Sequence, residues 1–166
     1  MAMMAYMKVR GKKQGWIKGS VTQKGREDSI AVIAYHHSVV SPRDPQSGLP
    51  TGQRMHKPFT VVKNTDRATP PLYTALCTNE SLPEVTVNFW EPQVKAATGV
   101  GAAVQFYTVK LTNAGIASIT AMMPNVEDPA QQSFDPQEEV AFTYQKIEWT
   151  WNDGGITAVD DWEARV

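Results

Sequence analysis

The strongest constraint on the fold is the alternation of residue types that recurs along the chain. It is longest over residues 139–151, where Val140, Phe142 and Tyr144 fall on one side and Ala141 and Thr143 on the other. A period of two puts successive side chains on opposite faces of a strand. Valine, threonine and aromatic residues dominate the run, as is typical of sheets. The run therefore predicts a long strand.

Comparable β-rich runs precede it along the chain. They lie at 16–22, 29–40, 58–63, 84–90, 104–111 and 116–122, with a turn expected at Asn113–Gly115 between the last two. We expect about seven or eight strands at the roughly 8–12-residue spacing of an all-β sandwich or barrel. The predicted fold is mainly β: a single β-barrel of two packed antiparallel sheets, with one short flanking α-helix and a long extended arm loop.

The flanking helix is predicted at residues 69–77. Thr69 is a candidate N-cap and Pro70 suits the first turn, while Asn79 is a plausible stop. Leu72 and Ala75, together with the neighbouring Leu76, fall on one helical face. So short a helix must gain its stability by packing against the sheets.

The long arm is predicted at residues 41–57. Its prolines and glycines are Pro42, Pro45, Pro50, Gly48 and Gly52. The segment is too long for a hairpin turn and too rich in proline for a strand. Proline reduces the conformational entropy that the segment loses when it becomes ordered. We therefore expect an arm that docks on another surface.

Bulk composition excludes several classes of protein. The 166 residues favour one domain. The net charge of −1 gives no pull toward nucleic acid or anionic lipid. No window approaches the roughly 18 apolar residues that a membrane span needs, so we expect no membrane insertion. The first eight residues do not read as a signal peptide, and the single cysteine, Cys77, allows no intramolecular disulfide.

Side chains that could carry chemistry are few and poorly spaced. Neighbouring His36 and His37 would point to opposite faces of a strand, and His56 lies in the arm. The chain has neither an H-E-x-x-H nor a C-x-x-C motif. We interpret Cys77 as a small core residue. The predictions are therefore no catalytic residues, no cofactor and no metal site, and the chain is not expected to be an enzyme.

Other candidate motifs also favour a structural interpretation. The motif Gly99–Gly101 faintly resembles a dinucleotide fingerprint, but it is followed by a strand instead of a helix. The acidic pairs Glu138–Glu139 and Asp160–Asp161 are interpreted as solvated surface. Trp149 and Trp151 share a face with Ile147, which suggests core or a subunit interface. The residues by themselves leave an assembly module, a monomeric lipocalin-like ligand-binding barrel and a small enzyme using Cys77 or the histidines as alternatives.

Several stretches in combination resemble the hemolysin-coregulated protein (Hcp) family of type VI secretion systems. The resemblance covers about residues 5–151. It is carried by G-W-I-K-G-S at 15–20, by T-G-Q-R-M-H-K-P-F at 51–59 with the following Lys63, Asp66 and Thr69–Pro70, by Y-T-V-K-L-T-N-A at 107–114 and by V-A-F-T-Y-Q-K-I-E-W at 140–149. Each segment by itself is weak evidence for the family, whereas the order and spacing of the segments together are specific to it.

The resemblance implies a structural protein of a secretion machine. Six copies would form a ring, and rings would stack into a tube that a contractile sheath propels into a neighbouring cell. A spike protein would cap the tube, and effector proteins could travel in its lumen. The protein would be made in the bacterial cytoplasm and secreted without a cleaved signal peptide. Residues 153–166 would be a C-terminal tail on a single domain spanning 1–166.

The resemblance also suggests which residues make contacts. We expect Arg43, Asp44, Arg54 and His56 of the arm at contacts between subunits or stacked rings, with changes at Arg54 weakening assembly more than changes at Asp160–Asp161. On the strand at 29–40, period two would put Ile33, Tyr35 and His37 inside the barrel. Val32, Ala34 and His36 would then face outward and line the lumen.

Overall fold

The computed structural model describes residues 4–94 and 101–162. The motif Gly99–Gly101 and the predicted tail therefore lie partly outside the described residues. The strands are β1 (Met4–Gly11), β2 (Gly15–Ile17), β3 (Ile30–Val32), β4 (Ala34–His36), β5 (Val39–Val40), β6 (Met55–His56), β7 (Phe59–Asn64), β8 (Leu82–Val94), β9 (Gly101–Met122), β10 (Gln137–Thr143), β11 (Lys146–Trp151) and β12 (Ile156–Asp161), and the helix is α1 (Thr69–Cys77).

Ten of these strands form one continuous hydrogen-bonded sheet, and every pairing in it is antiparallel. Its main path runs β2-β1-β8-β9-β10-β7-β4, with β3 added to β1 and the β11–β12 hairpin added to β9. The path bends into two packed layers, which confirms the mainly β fold with one helix. The ladder does not close on itself within residues 4–94 and 101–162, because its ends at β2 and β4 stay unjoined.

Strand β9 joins the two layers. Its first part pairs with β8 and β11, and its last part pairs with β10. The turn expected at Asn113–Gly115 is absent; instead Asn113 takes a φ of +51° inside a continuous strand. Asparagine tolerates this left-handed backbone better than most residues. Strand β9 therefore contributes to both layers, whereas the sequence pattern predicted two strands separated by a turn.

The hydrophobic core lies between the layers. Val109 and Leu111 are buried on one face of β9. Strand β1 was not recognised in the sequence, because its buried positions are not strictly alternate. The largest fully buried apolar side chains are Phe59, Phe142, Met7, Ile30, Leu72, Leu82, Leu111, Ile147, Val9 and Val61.

Helix α1 spans the predicted residues. Leu72 and Ala75 are buried, and Asn79 follows the helix with a φ of +53°. The cap position falls on Ala68, one residue before the predicted Thr69. Cys77 is exposed, so its interpretation as a core residue is wrong.

A buried charged pair connects the start of α1 to the sheet. Lys63 on β7 and Glu138 on β10 are register partners, and their side chains form an ion pair with almost no exposed surface. The Lys63 ammonium also lies 2.9 Å from the Asp66 carboxylate, and the Thr69 hydroxyl donates to Glu138 at 2.8 Å. The interpretation of Glu138 as solvated surface is therefore wrong, although Glu139 is exposed.

The predicted strand at 29–40 is broken by a bend at Ile33, because the chain leaves β1 and crosses to β7 there. This crossing ends the period of two and changes which side chains face the core. Val32 is only 8% exposed and belongs to the core, so its outward assignment is wrong. Ile33 is 52% exposed and Tyr35 is 46% exposed, so neither fills the barrel. Ala34 and His36 are exposed, and their assignment to a lumen stays a prediction.

Candidate assembly surface and the arm anchor

The arm is a paired ribbon in the connection between β4 and β7. Val39 pairs with His56 and Val40 pairs with Met55, and an isolated bridge between Arg43 and Pro50 extends the pairing. The ribbon is therefore more regular than the sequence indicated. The three prolines argue against strands in this segment, but the two short strands contain none of them.

The tip of the arm is held by its own backbone and by Asp44. The Asp44 carboxylate accepts hydrogen bonds from the Gln46 and Ser47 amides at 2.7 and 3.2 Å. The Gly48 amide donates to the Asp44 carbonyl at 2.9 Å, with Gly48 at a φ of +72°. Asp44 thus builds the turn. A role for Asp44 or the exposed Arg43 in contacts between subunits stays a prediction.

Exposed apolar side chains mark the arm. They belong to Val39, Val40, Leu49 and Met55. Exposed apolar surface, where it is contiguous, is typical of sites at which another molecule binds.

A second exposed apolar group lies in the connection between β9 and β10. Its members are Met122, Met123, Val126 and Phe134, and we call residues 123–136 the β9–β10 loop. Asn125 and Asp128 shape the loop. The Asn125 side-chain oxygen accepts a hydrogen bond from the Glu127 amide, and an Asp128 carboxylate oxygen accepts one from the Ala130 amide, each at 3.0 Å.

The strand register places the arm and the β9–β10 loop at opposite ends of one layer. Phe59, the first residue of β7 after the arm, pairs with Phe142. At the other end of β7, Asn64 pairs with Gln137, which in turn pairs with Met122 at the start of the loop. The two apolar groups therefore belong to segments that leave opposite ends of β7 and β10.

The root of the arm is fixed to β12 by a polar cluster. The Arg54 Nε donates to the Asp160 carboxylate at 2.7 Å, and its Nη2 donates to the Asp161 carbonyl at 3.1 Å. The His56 Nε2 lies 2.5 Å from the same Asp160 oxygen. The His56 side chain is only 9% exposed, so this contact is sheltered from solvent.

Tyr144 extends the cluster to the start of the arm. Its hydroxyl lies 2.8 Å from the Nδ1 of His56 and 2.6 Å from the Nε2 of His37. The His37 ring also packs near Phe59 and Trp149. We call His37, Arg54, His56, Tyr144 and Asp160 the arm anchor.

Burial and charge shift the protonation equilibria of the anchor. Burial lowers the pKa of His37 below 6.5, and the charges of His56 and His36 lower it further. Burial raises the pKa of Tyr144 far above its ordinary value, so the hydroxyl keeps its proton. The hydrogen bond from Arg54 lowers the pKa of Asp160, which therefore stays ionised.

The anchor corrects one interpretation of the sequence, because Asp160 is engaged by the arm instead of lying in solvated surface. Residues 156–161 of the predicted tail form a strand of the sheet. Arg54 and Asp160 are partners within one chain, and the expected contrast between the effects of changes at these positions on ring association stays a prediction. Tyr144 and His37 were not recognised as site residues, because nothing in the local pattern predicts contact between two residues that lie 107 positions apart in the sequence.

Residues 4–94 and 101–162 contain no group of three or more His, Cys, Asp or Glu that could hold a metal ion. Over the same ranges, no helix has the length and apolar character of a membrane span. A β body with exposed apolar groups in segments at opposite ends and an anchored arm has features typical of assembly proteins.

Comparison with known proteins gives the family. The family described as "Type VI secretion system effector, Hcp" matches residues 6–151. The "Major exported protein" of Pseudomonas aeruginosa is 39% identical over 100% of this chain and 99% of its own length. The chain belongs to the Hcp family of type VI secretion proteins, which is a structural family of secreted tube proteins and not an enzyme family.

Solved structures agree with the fold. The structure titled "Crystal structure of Hcp protein" superposes with a TM-score of 0.88 at 33% identity, covering 99% of this chain and 100% of the other. Hcp1 from the E. coli EAEC 042 pathovar superposes with a TM-score of 0.84 at 30% identity, covering 97% and 99%.

Proposed function

We propose that the chain is the inner-tube subunit of a type VI secretion system. Six copies close into a ring, and rings stack head to tail into a tube with a hollow lumen. Sheath contraction propels the tube out of the bacterial cytoplasm, with a spike protein at its tip and effector proteins in its lumen. The chain itself performs no bond chemistry in this role and supplies stiffness, a pore and complementary end faces.

One observation carries the stacking part of the proposal: the arm and the β9–β10 loop expose apolar side chains at opposite ends of one layer. A head-to-tail contact needs two different patches on each copy, one for the copy before it and one for the copy after it. Leu49 on the arm and Val126 in the loop are the most suitable contacts, since both are exposed and apolar.

The alternative of a lipocalin-like ligand-binding barrel needs an apolar cavity inside the β body. The space between the layers is instead filled by fully buried side chains, including Phe59, Leu111 and Phe142. Close packing of this kind leaves little room for a ligand. The assembly function is therefore the better supported of the two.

The test is the mass of the purified protein and of matched variants. Light scattering after gel filtration should give about six times the 18.4 kDa of one chain, and negative-stain micrographs should contain rings and stacks. Leu49→Asp and Val126→Asp each add a charge to one end face, so both should shorten or abolish stacks.

Thr22→Asp is the matched control, because it adds the same charge at an exposed position outside both apolar groups. Stacks that survive both end-face variants would contradict the assignment of the contacts. A parent protein that stays at the mass of one chain, with no rings at any concentration, would contradict the function itself.

A further inference from the structure

We propose that opposite charges on the arm and the β9–β10 loop give the stacked tube a single direction. Basic side chains on the arms of one ring pair with acidic side chains in the β9–β10 loops of the next ring. This inference rests on the proposed tube function and deepens it, because it names the groups that select one junction between rings over the others.

The exposed apolar side chains cannot select a direction by themselves. Both segments carry them, with Leu49 on the arm and Val126 in the loop as examples. The burial of apolar surface is non-directional and depends on area. Apolar contact alone would therefore allow three junctions between rings: arm to arm, loop to loop and arm to loop. Only the arm-to-loop junction repeats along a tube without reversing the rings.

The charges of the two segments have opposite signs. The β9–β10 loop, residues 123–136, contains three carboxylates and no lysine or arginine. The arm, residues 41–57, contains three lysine or arginine side chains and one carboxylate. The loop is therefore acidic and the arm is basic, whereas the whole chain is nearly neutral at a net charge of −1.

Some of these charges are already engaged within one chain. The Asp44 carboxylate accepts two backbone amides of the arm tip, and the Arg54 guanidinium donates to the Asp160 carboxylate. In the loop, the two Asp128 carboxylate oxygens accept a backbone amide at 3.0 Å and a side-chain amide at 3.2 Å. These groups therefore hold the shape of their own segments.

Four other charged side chains of the two segments remain available to a neighbour. Each is exposed and forms no ion pair within residues 4–94 and 101–162: Arg43 and Lys57 on the arm, and Glu127 and Asp135 in the loop. The two loop carboxylates directly follow the exposed apolar Val126 and Phe134. Arg43 lies across the ribbon from Pro50, next to the exposed Leu49. Both segments thus place charges beside apolar side chains, as protein interfaces do.

Only the arm-to-loop junction brings opposite charges together. An arm-to-arm junction sets Arg43 and Lys57 against their own copies, and a loop-to-loop junction does the same with carboxylates. Like charges across an interface suppress the wrong partner. One exposed ion pair contributes little in water, but a junction between rings of six copies repeats each pair six times. The apolar groups supply the contact, and the charges set its direction.

The experiment compares the parent with three variants of the full chain. The arm variant carries Arg43→Glu and Lys57→Glu, so both of its end segments are acidic. The loop variant carries Glu127→Lys and Asp135→Lys, so both of its end segments are basic. The control carries Lys8→Glu and Lys24→Glu, which change the net charge as the arm variant does, at exposed positions outside both segments.

Light scattering reports whether each protein forms rings, and electron micrographs count the stacks and show the direction of each ring in side view. Rings of the arm variant should not stack with one another, and neither should rings of the loop variant. A mixture of the two should stack again with the two kinds of ring alternating, because each junction then joins an acidic segment to a basic one.

The control should stack as the parent does, with all rings of a stack pointing the same way. Stacks of the parent should shorten as added salt screens the charges. Arm-variant or loop-variant rings that stack by themselves as well as the parent would overturn the proposal, as would a mixture in which no stacks return. Equal loss of stacks in the control, or parent rings that never stack, would overturn it too. The tube function fails separately, if the parent forms no rings.

Discussion

The Arg54 guanidinium and the Asp160 carboxylate lie 106 residues apart in the sequence and meet at 2.7 Å. Their contact joins the root of the arm to the last strand of the sheet. The contact holds the arm against β12, although the sequence pattern predicts the two as separate segments.

Removal of the charge at Asp160 should free the arm. Asp160→Asn weakens the acceptor shared by Arg54 and His56, so limited proteolysis should cut residues 41–57 faster than in the parent. Arg54→Gln should have a similar effect, because it breaks the same contact from the other side. Asp153→Asn is a matched control at an exposed position. Resistance of the Asp160 variant equal to that of this control would contradict the role of the anchor.

The stability of the chain should depend on pH through His37. Its pKa is lowered in the folded state, so the unfolded chain binds more protons as the pH falls. This contribution to the free energy of unfolding is fully present above pH 6.5 and is lost as the pH falls through the lowered pKa. Urea unfolding of the parent and of His37→Gln at a series of pH values checks this. Parallel curves for the two proteins would show that His37 contributes nothing.

The ionised state of Asp160 acts in a lower pH window. Arg54 lowers the pKa of this carboxyl, so its contribution is present above its ordinary pKa of 3.8 and disappears as the pH falls through the lowered value. The stability difference between the parent and Asp160→Asn should therefore be constant near neutral pH and shrink only in stronger acid. A difference that already vanishes at pH 6 would contradict this assignment.

The buried ion pair at the start of α1 gives the largest expected loss of stability. Glu138→Ala leaves the Lys63 ammonium buried with Asp66 as its remaining carboxylate, and breaking a buried pair from one side costs about 3–5 kcal/mol. Chemical denaturation measures the change. Glu139→Ala is the neighbouring exposed control and should stay within about 0.5 kcal/mol of the parent. Similar losses of unfolding free energy in the two variants would contradict a stabilising role for the buried ion pair.

The bend at Ile33 predicts which neighbouring position tolerates charge. Val32→Asp puts a carboxylate into the core and should cost more than about 2 kcal/mol. Ala34→Asp falls on an exposed position and should be nearly neutral for folding. Thermal unfolding of the two variants separates them. Similar effects of the two substitutions would instead support the uninterrupted strand of the sequence pattern, in which Val32 and Ala34 both face outward.

Much of the fold follows from local pattern. Alternation along 104–111 correctly predicts a strand, and the proline, apolar spacing and asparagine around α1 locate the helix. These features depend on residues that are close in the sequence, because side-chain direction and helix ends are set within a few residues.

The order and spacing of the family-like segments also indicate the Hcp family, and the match over residues 6–151 confirms it. By itself, the sequence therefore determined the class of fold, the helix, the location of the arm and the family.

Tertiary structure alone decided the rest. The bend at Ile33, the shared use of β9 by both layers and the meeting of His37, His56 and Tyr144 with Asp160 all depend on which strands become neighbours. Strand neighbours are chosen by packing over long sequence separations, and no short-range period carries that information. The arm could be located from its prolines, whereas the groups that hold it could be identified only once β12 lay beside β11.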